Sequence, residues 1–304
     1  MSLMVITHPA CADHCPPKGH PERPARLEAA LRGIEQIDDF EQVEASPVSR
    51  HKLLLAHGPN YLANLDNLSA AGSPVALDED THLGPHSLDA ASLAAGAACG
   101  GVDQVMKHDW KSAFAVVRPP GHHAESARAM GFCLYNSIAI AALHAVETHG
   151  LQRVAVCDFD VHHGNGTEAI LAGIEGTLFL SSHQSPLYPG TGNPDAPHAA
   201  NIHNATLPAG SGSNEFRELW LEKLLPTIER FRPELILVSA GFDAHWRDPL
   251  AQLELKDEDY YWIGDQLKAL ADAHANGRLV ASLEGGYDLT ALEESTLAFG
   301  EALV

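Results

Sequence analysis

Five short β-branched or apolar runs recur along this chain: SAFAVV (112–117), RVAVCDF (153–159), TLFLSS (177–182), ELILVSA (234–240) and RLVASLE (278–284). Among and before them lie segments of helical periodicity, namely PARLEAALRGIEQI (24–37), SLDAASLAAGAACGGVDQVMKH (87–108), NSIAIAALHAVETHG (136–150), NEFRELWLEKLLPTIERF (214–231) and DEDYYWIGDQLKALADAHANG (257–277). Such alternation admits few architectures: it predicts βαβ units and a mostly parallel sheet in an α/β fold. Gly150 and Gly277 fall where helix stops are expected. The first twenty or so residues, with His8, Cys11, His14, Cys15 and His20, read as loop. No polar or Pro/Ser-rich stretch divides the 304 residues, and no repeat is visible, so one domain spanning 1–304 is expected.

The strand ends carry the chemistry. AVV runs into RPPGHH, VAVCDF into DVHHGNG, ILVSA into GFDAH, and VASLE into GGYDL. Ligands of open α/β sheets bind beyond the carboxyl ends of strands, so these four loops are expected to converge on one pocket. In CDFDVHHGNG (157–166), alternation along an extended segment directs Asp158, Asp160 and His162 to one side, and Phe159 and Val161 to the other. Buried carboxylates need a counter-charge, and this stretch contains no Lys or Arg to form salt bridges, which points to a divalent cation. A catalytic zinc takes three protein ligands and keeps one position open. Asp160 and His162 supply two, and Asp243 in GFDAH is the best third. Asp158 then sits one layer back, orienting an imidazole. His122 and His123, fixed by Pro119 and Pro120, are candidates for proton transfer beside such an ion. Tyr287, after Gly285 and Gly286, is a candidate hydrogen-bond donor to a developing oxyanion; its alternative is an ordinary rim tyrosine.

Taken together, RPPGHHAESARAMGFCLYNS, DFDVHHGNGT, SAGFDAHWRDPL and LEGGYDL, with GHPERPARL near the start and YPGTG between, resemble one family along nearly the whole chain. These motifs are similar to those of the zinc-dependent deacetylases, the class II type histone deacetylases and bacterial acetylpolyamine amidohydrolases. The resemblance implies the arginase-deacetylase fold, a three-layer αβα arrangement in a single domain, a Zn2+ site and hydrolysis of an N-acetyl amide. By motif, Asp160, His162 and Asp243 are the implied metal ligands, His122 and His123 the catalytic pair, and Tyr287 the transition-state donor. His122 is implied to pair with Asp158 and His123 with Asn165. Because an amide stabilises imidazolium less than a carboxylate does, His123 is expected to be the more readily neutral of the two and to serve as base. A K+ held by Asp158, Ser181 and backbone carbonyls is implied as well.

Gly131, Phe132 and Tyr188 map to the family's entrance channel, the two rings flanking a slot that suits a tetramethylene chain. Leu250 stands at a rim position where a polyamine-selective relative carries Glu, which argues against strict polyamine selectivity. An acetyl-lysine peptide, an acetylpolyamine and a small acetyl amide all remain candidate substrates. Two other functions compete: a two-manganese ureohydrolase of the arginase type, which would want an acid where His245 stands, and a non-catalytic protein that binds acetylated ligands. Cys11, His14, Cys15 and His20 match no common zinc-finger spacing. Zn2+ and Fe2+ tolerate much the same donors, so the ion used in cells stays open.

Forty acids against nineteen Lys and Arg leave a formal charge of −21, which repels phosphate backbones and anionic lipid, so neither nucleic acid nor membrane is an expected partner. Five cysteines fit a reducing compartment better than a disulfide framework, and the N-terminus lacks the basic leader of a signal peptide. A cytoplasmic protein is expected. The sequence leaves open a homo-oligomer in which a second copy narrows the entrance.

Overall fold

A computed structural model describes residues 3–107 and 110–304. Its strands are β1 (Leu3–Thr7), β2 (Phe40–Glu44), β3 (Val75–Ala76), β4 (His82–Leu83), β5 (Ser112–Ala115), β6 (Val154–Asp158), β7 (Thr177–Gln184), β8 (Ile202–Leu207), β9 (Leu235–Ala240) and β10 (Leu279–Leu283). Its α-helices are α1 (Ala25–Ile34), α2 (Arg50–Ala56), α3 (Pro59–Ala70), α4 (Ser87–Met106), α5 (Ser137–His149), α6 (Asn165–Leu171), α7 (Ser213–Leu219), α8 (Leu225–Phe231), α9 (Asp257–His274) and α10 (Leu289–Leu303).

Eight strands form one sheet in the order β2-β1-β5-β10-β9-β6-β7-β8, each neighbouring pair parallel. The short β3 and β4 pair antiparallel apart from it. Helices α4, α5 and α6 pack on one face of the sheet, while α7, α9 and α10 cover the other, with α1 against α10. The result is the three-layer αβα arrangement. The four central strands are buried along their whole lengths, which is why they read as continuous apolar runs without alternation.

Three local expectations are corrected. The N-terminal segment is not all loop: Leu3–Thr7 is a buried strand between β2 and β5, followed by a 3-10 turn at Pro9–Asp13. Four apolar residues and a threonine are too few to show a period, and pairing on both sides makes the strand. The single helix expected over 214–231 is broken into α7, a π-helical turn at Trp220–Leu224, and α8. Pro226 has no N–H to donate and its ring crowds the carbonyl four residues back; the chain widens just before it, so that Leu225 N–H bonds Trp220 O, five residues back. The helix expected over 87–108 ends at Met106 in the structure, and position 108 lies outside the described residues.

The loops beyond the central strands are anchored by aromatic residues set between the polar ones. Phe159 lies between Asp158 and Asp160, and its ring packs 5.4 Å from Phe299 and 6.1 Å from Phe242. Phe242, directly before Asp243, packs 5.1 Å from Tyr260. Each ring is buried, and such burial stabilises by about 1.5–3 kcal/mol. The apolar half of each loop thereby fixes the direction of its carboxylates. Among the described residues no helix is long and apolar enough to cross a membrane.

Candidate metal centre

Asp160 follows the end of β6, His162 comes two residues later, and Asp243 follows β9. Their ligand atoms all lie within 4.8 Å of one another, and all three residues are buried. His162 Nδ1 is 3.1 Å from Asp160 Oδ1 and 3.1 Å from Asp243 Oδ2. Backbone donors hold the remaining carboxylate oxygens: Gly285 N–H donates to Asp160 Oδ2 at 2.8 Å, and Val161 N–H to Asp243 Oδ1 at 3.0 Å. Burial opposes charge on His162, yet the Asp243 and Asp160 carboxylates lift its pKa to about 10. Two buried carboxylates and one imidazole, converging without a Lys or Arg among their hydrogen-bond partners, make a donor set that fits a divalent cation.

Around this group stand the two histidines of the loop after β5. His122 Nδ1 is 3.0 Å from Asp158 Oδ2, and its Nε2 is 3.8 Å from Asp160 Oδ1. Burial disfavours its charge, but Asp160 and Asp158 outweigh that and hold its pKa well above the ordinary histidine value. His123 Nδ1 is 2.8 Å from Asn165 Oδ1, while Asn165 Nδ2 donates to Glu125 Oε1 at 2.9 Å. With the amide nitrogen committed to Glu125, the amide oxygen must face His123. Nδ1 of His123 therefore carries the hydrogen, and Nε2 is left with the lone pair.

Burial, then the neighbouring His122 and His162, push the His123 pKa well below the ordinary value. The two histidines are thus shifted in opposite directions, His123 toward the neutral form, with burial and its imidazole neighbours the first causes and the Asn165 hydrogen bond acting the other way. Asp158 does orient an imidazole, that of His122, and also accepts from Asp160 N–H at 3.1 Å. Ser181 is its partner in register on β7, with its hydroxyl 3.0 Å from His183 Nδ1.

A cavity of about 220 Å³ opens over the group. His123, His162 and Tyr287 reach it from the buried side, while Phe132, Tyr188, Leu187 and Leu250 form walls and rim. Gly131, also lining it, has φ +55, and a Cβ there would sit 2.3 Å from His123 Cδ2. The Phe132 ring meets Tyr287 at 5.8 Å and His20 at 4.6 Å, and Tyr188 meets His123 at 5.3 Å. Burial keeps the Tyr287 phenol protonated far above neutral pH. Its backbone N–H donates to Asp248 Oδ2 at 2.7 Å, and the Arg26 guanidinium lies 4.8 Å over its ring.

Of the residues expected at the pocket, His123, Gly131, Phe132, His162, Tyr188, Leu250 and Tyr287 line the cavity; Asp160, Asp243, His122 and Asn165 stand behind it in contact with lining residues, Asp158 lies behind His122, and Ser181 is one strand over beside Asp158. Cys11, His14, Cys15 and His20 do not converge: His14 faces Ser87 and Glu22, and His20 faces the carbonyls of Glu22 and Asp80. His245 is committed to Asp257 at 3.5 Å and to Arg247 N–H, apart from the Asp160 group.

Four participants escaped the sequence reasoning. Asp80 lines the cavity from the β3–β4 turn. Asp248 ties both Tyr287 N–H and Leu250 N–H. Glu284 Oε2 accepts from Gly121 N–H at 2.6 Å and His122 N–H at 3.1 Å, clamping the tandem-histidine loop, and burial raises its pKa to about 7. Arg26 donates to the carbonyls of Gly286 and Glu284. Glu284 stood in a quoted motif as an acid closing an apolar strand, which was signal enough to ask for its partner.

Comparison with known proteins agrees with the geometry. The histone deacetylase domain model matches residues 20–303. The chain is 38% identical, over 93% of its own length and 74% of the other, to a histone deacetylase-like amidohydrolase of Pseudomonas aeruginosa. It is 34% identical over 94% of its length to type-2 histone deacetylase 2 of Dictyostelium discoideum, of which it spans 20%. The solved structure of the HDA15 HD domain superposes with a TM-score of 0.92 at 31% identity, covering 99% of this chain and 88% of that one.

Proposed function

The chain belongs to the histone deacetylase domain family and has its arginase-deacetylase α/β fold, and from that premise we propose that it is a zinc-dependent amidohydrolase removing acetyl from an N-acetylated amine. Asp160, His162 and Asp243 would hold the ion, which when bound supplies Lewis acidity toward an acetyl carbonyl and a water. In the same reading the whole chain acts as one catalytic domain.

The observation that carries the proposal is the tautomer of His123. Its Nε2 lone pair lines the same cavity as His162, so it can take a proton from the attacking water, then return it to the departing amine nitrogen. In the same reading His122, its Nδ1 fixed by Asp158 Oδ2 at 3.0 Å, stands beside the Asp160 group as a second imidazole able to relay a proton. Tyr287, protonated at every working pH, offers its hydroxyl to that oxyanion.

The walls of Phe132, Tyr188 and Leu187 suit an unbranched methylene chain, and Asp80 offers an acceptor for a donor group on the substrate. Acetyl-lysine in a peptide and an acetylpolyamine are the substrate classes proposed. A K+ beside Asp158 and Ser181 would lean on backbone carbonyls, since the Asp158 carboxylate already serves His122 and Asp160 N–H.

The test measures acetate release from an acetyl-lysine peptide and from acetylputrescine, side by side, for wild type and Tyr287→Phe, with metal content recorded. Turnover of either substrate that drops at least 100-fold in the variant, at unchanged metal content, supports the proposal. Tight binding without acetate release, or near-normal turnover in Tyr287→Phe, refutes it. Two ions required at this centre would favour the ureohydrolase alternative.

A further inference from the structure

Far from the cavity, α4 and α5 end side by side. Helix α5 starts behind the tandem-histidine loop and runs back toward the amino end of β6, so its last turns lie at the opposite edge of the sheet from the catalytic loops. There His144 Nε2 is 2.7 Å and His149 Nε2 2.8 Å from the same oxygen, Oδ1 of Asp103 in the last turn of α4. The three ligand atoms lie within 4.8 Å of one another. Lys52 of α2 completes the cluster, with Nζ 3.4 Å from Asp103 Oδ2 and 3.2 Å from His144 Nε2.

Protons can satisfy this arrangement only by crowding three donors, both imidazoles and the Lys52 ammonium, onto the single Asp103 carboxylate, two of them on one oxygen. If His144 Nε2 carries a hydrogen for Asp103, the lysine ammonium at 3.2 Å meets a second donor. If Nε2 instead accepts from Lys52, its lone pair faces a carboxylate oxygen at 2.7 Å. We propose that Asp103, His144 and His149 form a second divalent-cation site, taking an imidazole-preferring ion such as Zn2+, with Lys52 a tethered cation that the ion displaces.

Two further features favour it. Thr148 Oγ1 lies 3.0 Å from His144 Nδ1, so once Nε2 is a ligand, Nδ1–H can donate to the hydroxyl and lock the ligating tautomer. Asp103 and His149 stand in the last turns of α4 and α5, the ends of helices that attract cations. Access is open: the side chains of Asp103 and His149 are 34% and 21% exposed. A cleft of about 360 Å³ bordered by Lys52, Asp103, Gln104 and Lys107 gives the lysine somewhere to swing. An ion there would staple α4 to α5, and this holds whatever reaction the other centre performs.

The experiment counts Zn2+ bound to full-length protein by equilibrium dialysis, first with the Asp160 centre filled. Wild type is expected to take up a second equivalent, and His149→Ala and Asp103→Asn only one, with acetate release unchanged. Asp243→Asn, damaged at the first centre, is expected to retain the second-site equivalent. His149 is partly exposed, so its truncation leaves the core intact, which circular dichroism checks. Lys52→Met is expected to bind the second ion at least threefold more tightly. One equivalent in wild type, two in His149→Ala, or weaker second-site binding in Lys52→Met would overturn the proposal.

Discussion

Gly285→Ala probes the proposed metal centre by sterics alone. Gly285 follows β10, and its φ lies outside the left-handed region, so the backbone itself can accept alanine. The new methyl, however, would lie 2.0 Å from Asp243 Oδ2, 2.5 Å from Asp243 Cγ and 2.6 Å from Asp160 Oδ2. Ordinary carbon–oxygen contact needs about 3.4 Å, so the nearest oxygen must retreat by roughly 1.4 Å or the loop must lift. Neither motion is cheap. Asp243 is buried and tied to Val161 N–H, and the loop is tied by Gly285 N–H to Asp160 and by Gly285 O to Phe242 N–H at 3.1 Å. Overpacking of this kind costs about 1–3 kcal/mol of stability, which leaves a folded protein. Metal coordination tolerates only about 0.2 Å, and a 1 Å misplacement at a reacting centre costs on the order of 100-fold in rate. The expected variant is therefore folded, depleted in metal at the Asp160 centre after dialysis, and at least 100-fold slower in acetate release at saturating metal. A variant with full metal content and more than a tenth of wild-type turnover would refute the assignment of Asp160 and Asp243 as joint ligands.

Other perturbations follow from the same contacts. His57 Nε2 accepts from Asn136 N–H at 2.9 Å while Nδ1 faces Glu125 O, and burial lowers its pKa to about 4. The folded state thus binds fewer protons than the unfolded one, whose value is 6.5, so stability is lost as pH falls from 6.5 toward 4, by up to about 3 kcal/mol. His57→Gln, which can donate and accept in the same places without titrating, should flatten the melting temperature against pH over that window; an unchanged slope would discard the idea. Asp248→Asn weakens the hold on Tyr287 N–H and should lower kcat about tenfold, with KM and metal content little changed. Leu250→Glu places a carboxylate at the cavity rim and should raise kcat/KM for acetylspermidine about fivefold over a neutral acetyl-lysine peptide, an advantage that fades in high salt. Treatment with a chelator should abolish acetate release, and added Zn2+ should restore it.

What could be read from the sequence, and what could not, divides by sequence distance. Asp160 and His162 share one short loop, and Asp243 sits at another strand end whose buried run was unmistakable, so local pattern plus one topological rule brought the three together. Strand β2, FEQVE, is mostly exposed and carries no apolar period; it is a strand because Leu3 to Thr7 pair with it, Leu3 opposite Phe40 through Thr7 opposite Glu44. Strand β1 is buried and largely apolar but too short to show a period, and its pairing with β2 and β5 defines it. Asp80 and Arg26 act across separations no window spans: Arg26 reaches the carbonyls of Glu284 and Gly286 some 260 residues on. Such contacts are set only when the sheet order places β10 between β5 and β9.

The same sheet order explains how so much acid can be buried in one place. Asp158, Asp160, Asp243 and Glu284 all lie fully buried at the ends of three adjacent strands, an assembly that isolated negative charges would disrupt. Glu284, with its pKa raised to about 7, sheds much of its charge near neutral pH and is paired with backbone donors. Asp158 faces His122 Nδ1 at 3.0 Å, so that pair can share one proton. That leaves Asp160 and Asp243, whose charges a bound dication would cancel. A centre neutralised in this way would need no outside counter-ion, and its electrostatics would be insulated from the acidic surface of a chain whose formal charge is −21. Catalysis should accordingly respond weakly to ionic strength for a neutral acetylated peptide, and strongly for a polycationic one whose approach the surface field steers. If kcat/KM for the neutral peptide instead fell steeply with salt, the counter-charge would have to lie outside the pocket, and the balance drawn between Asp158, His122 and the ion-holding pair would be wrong.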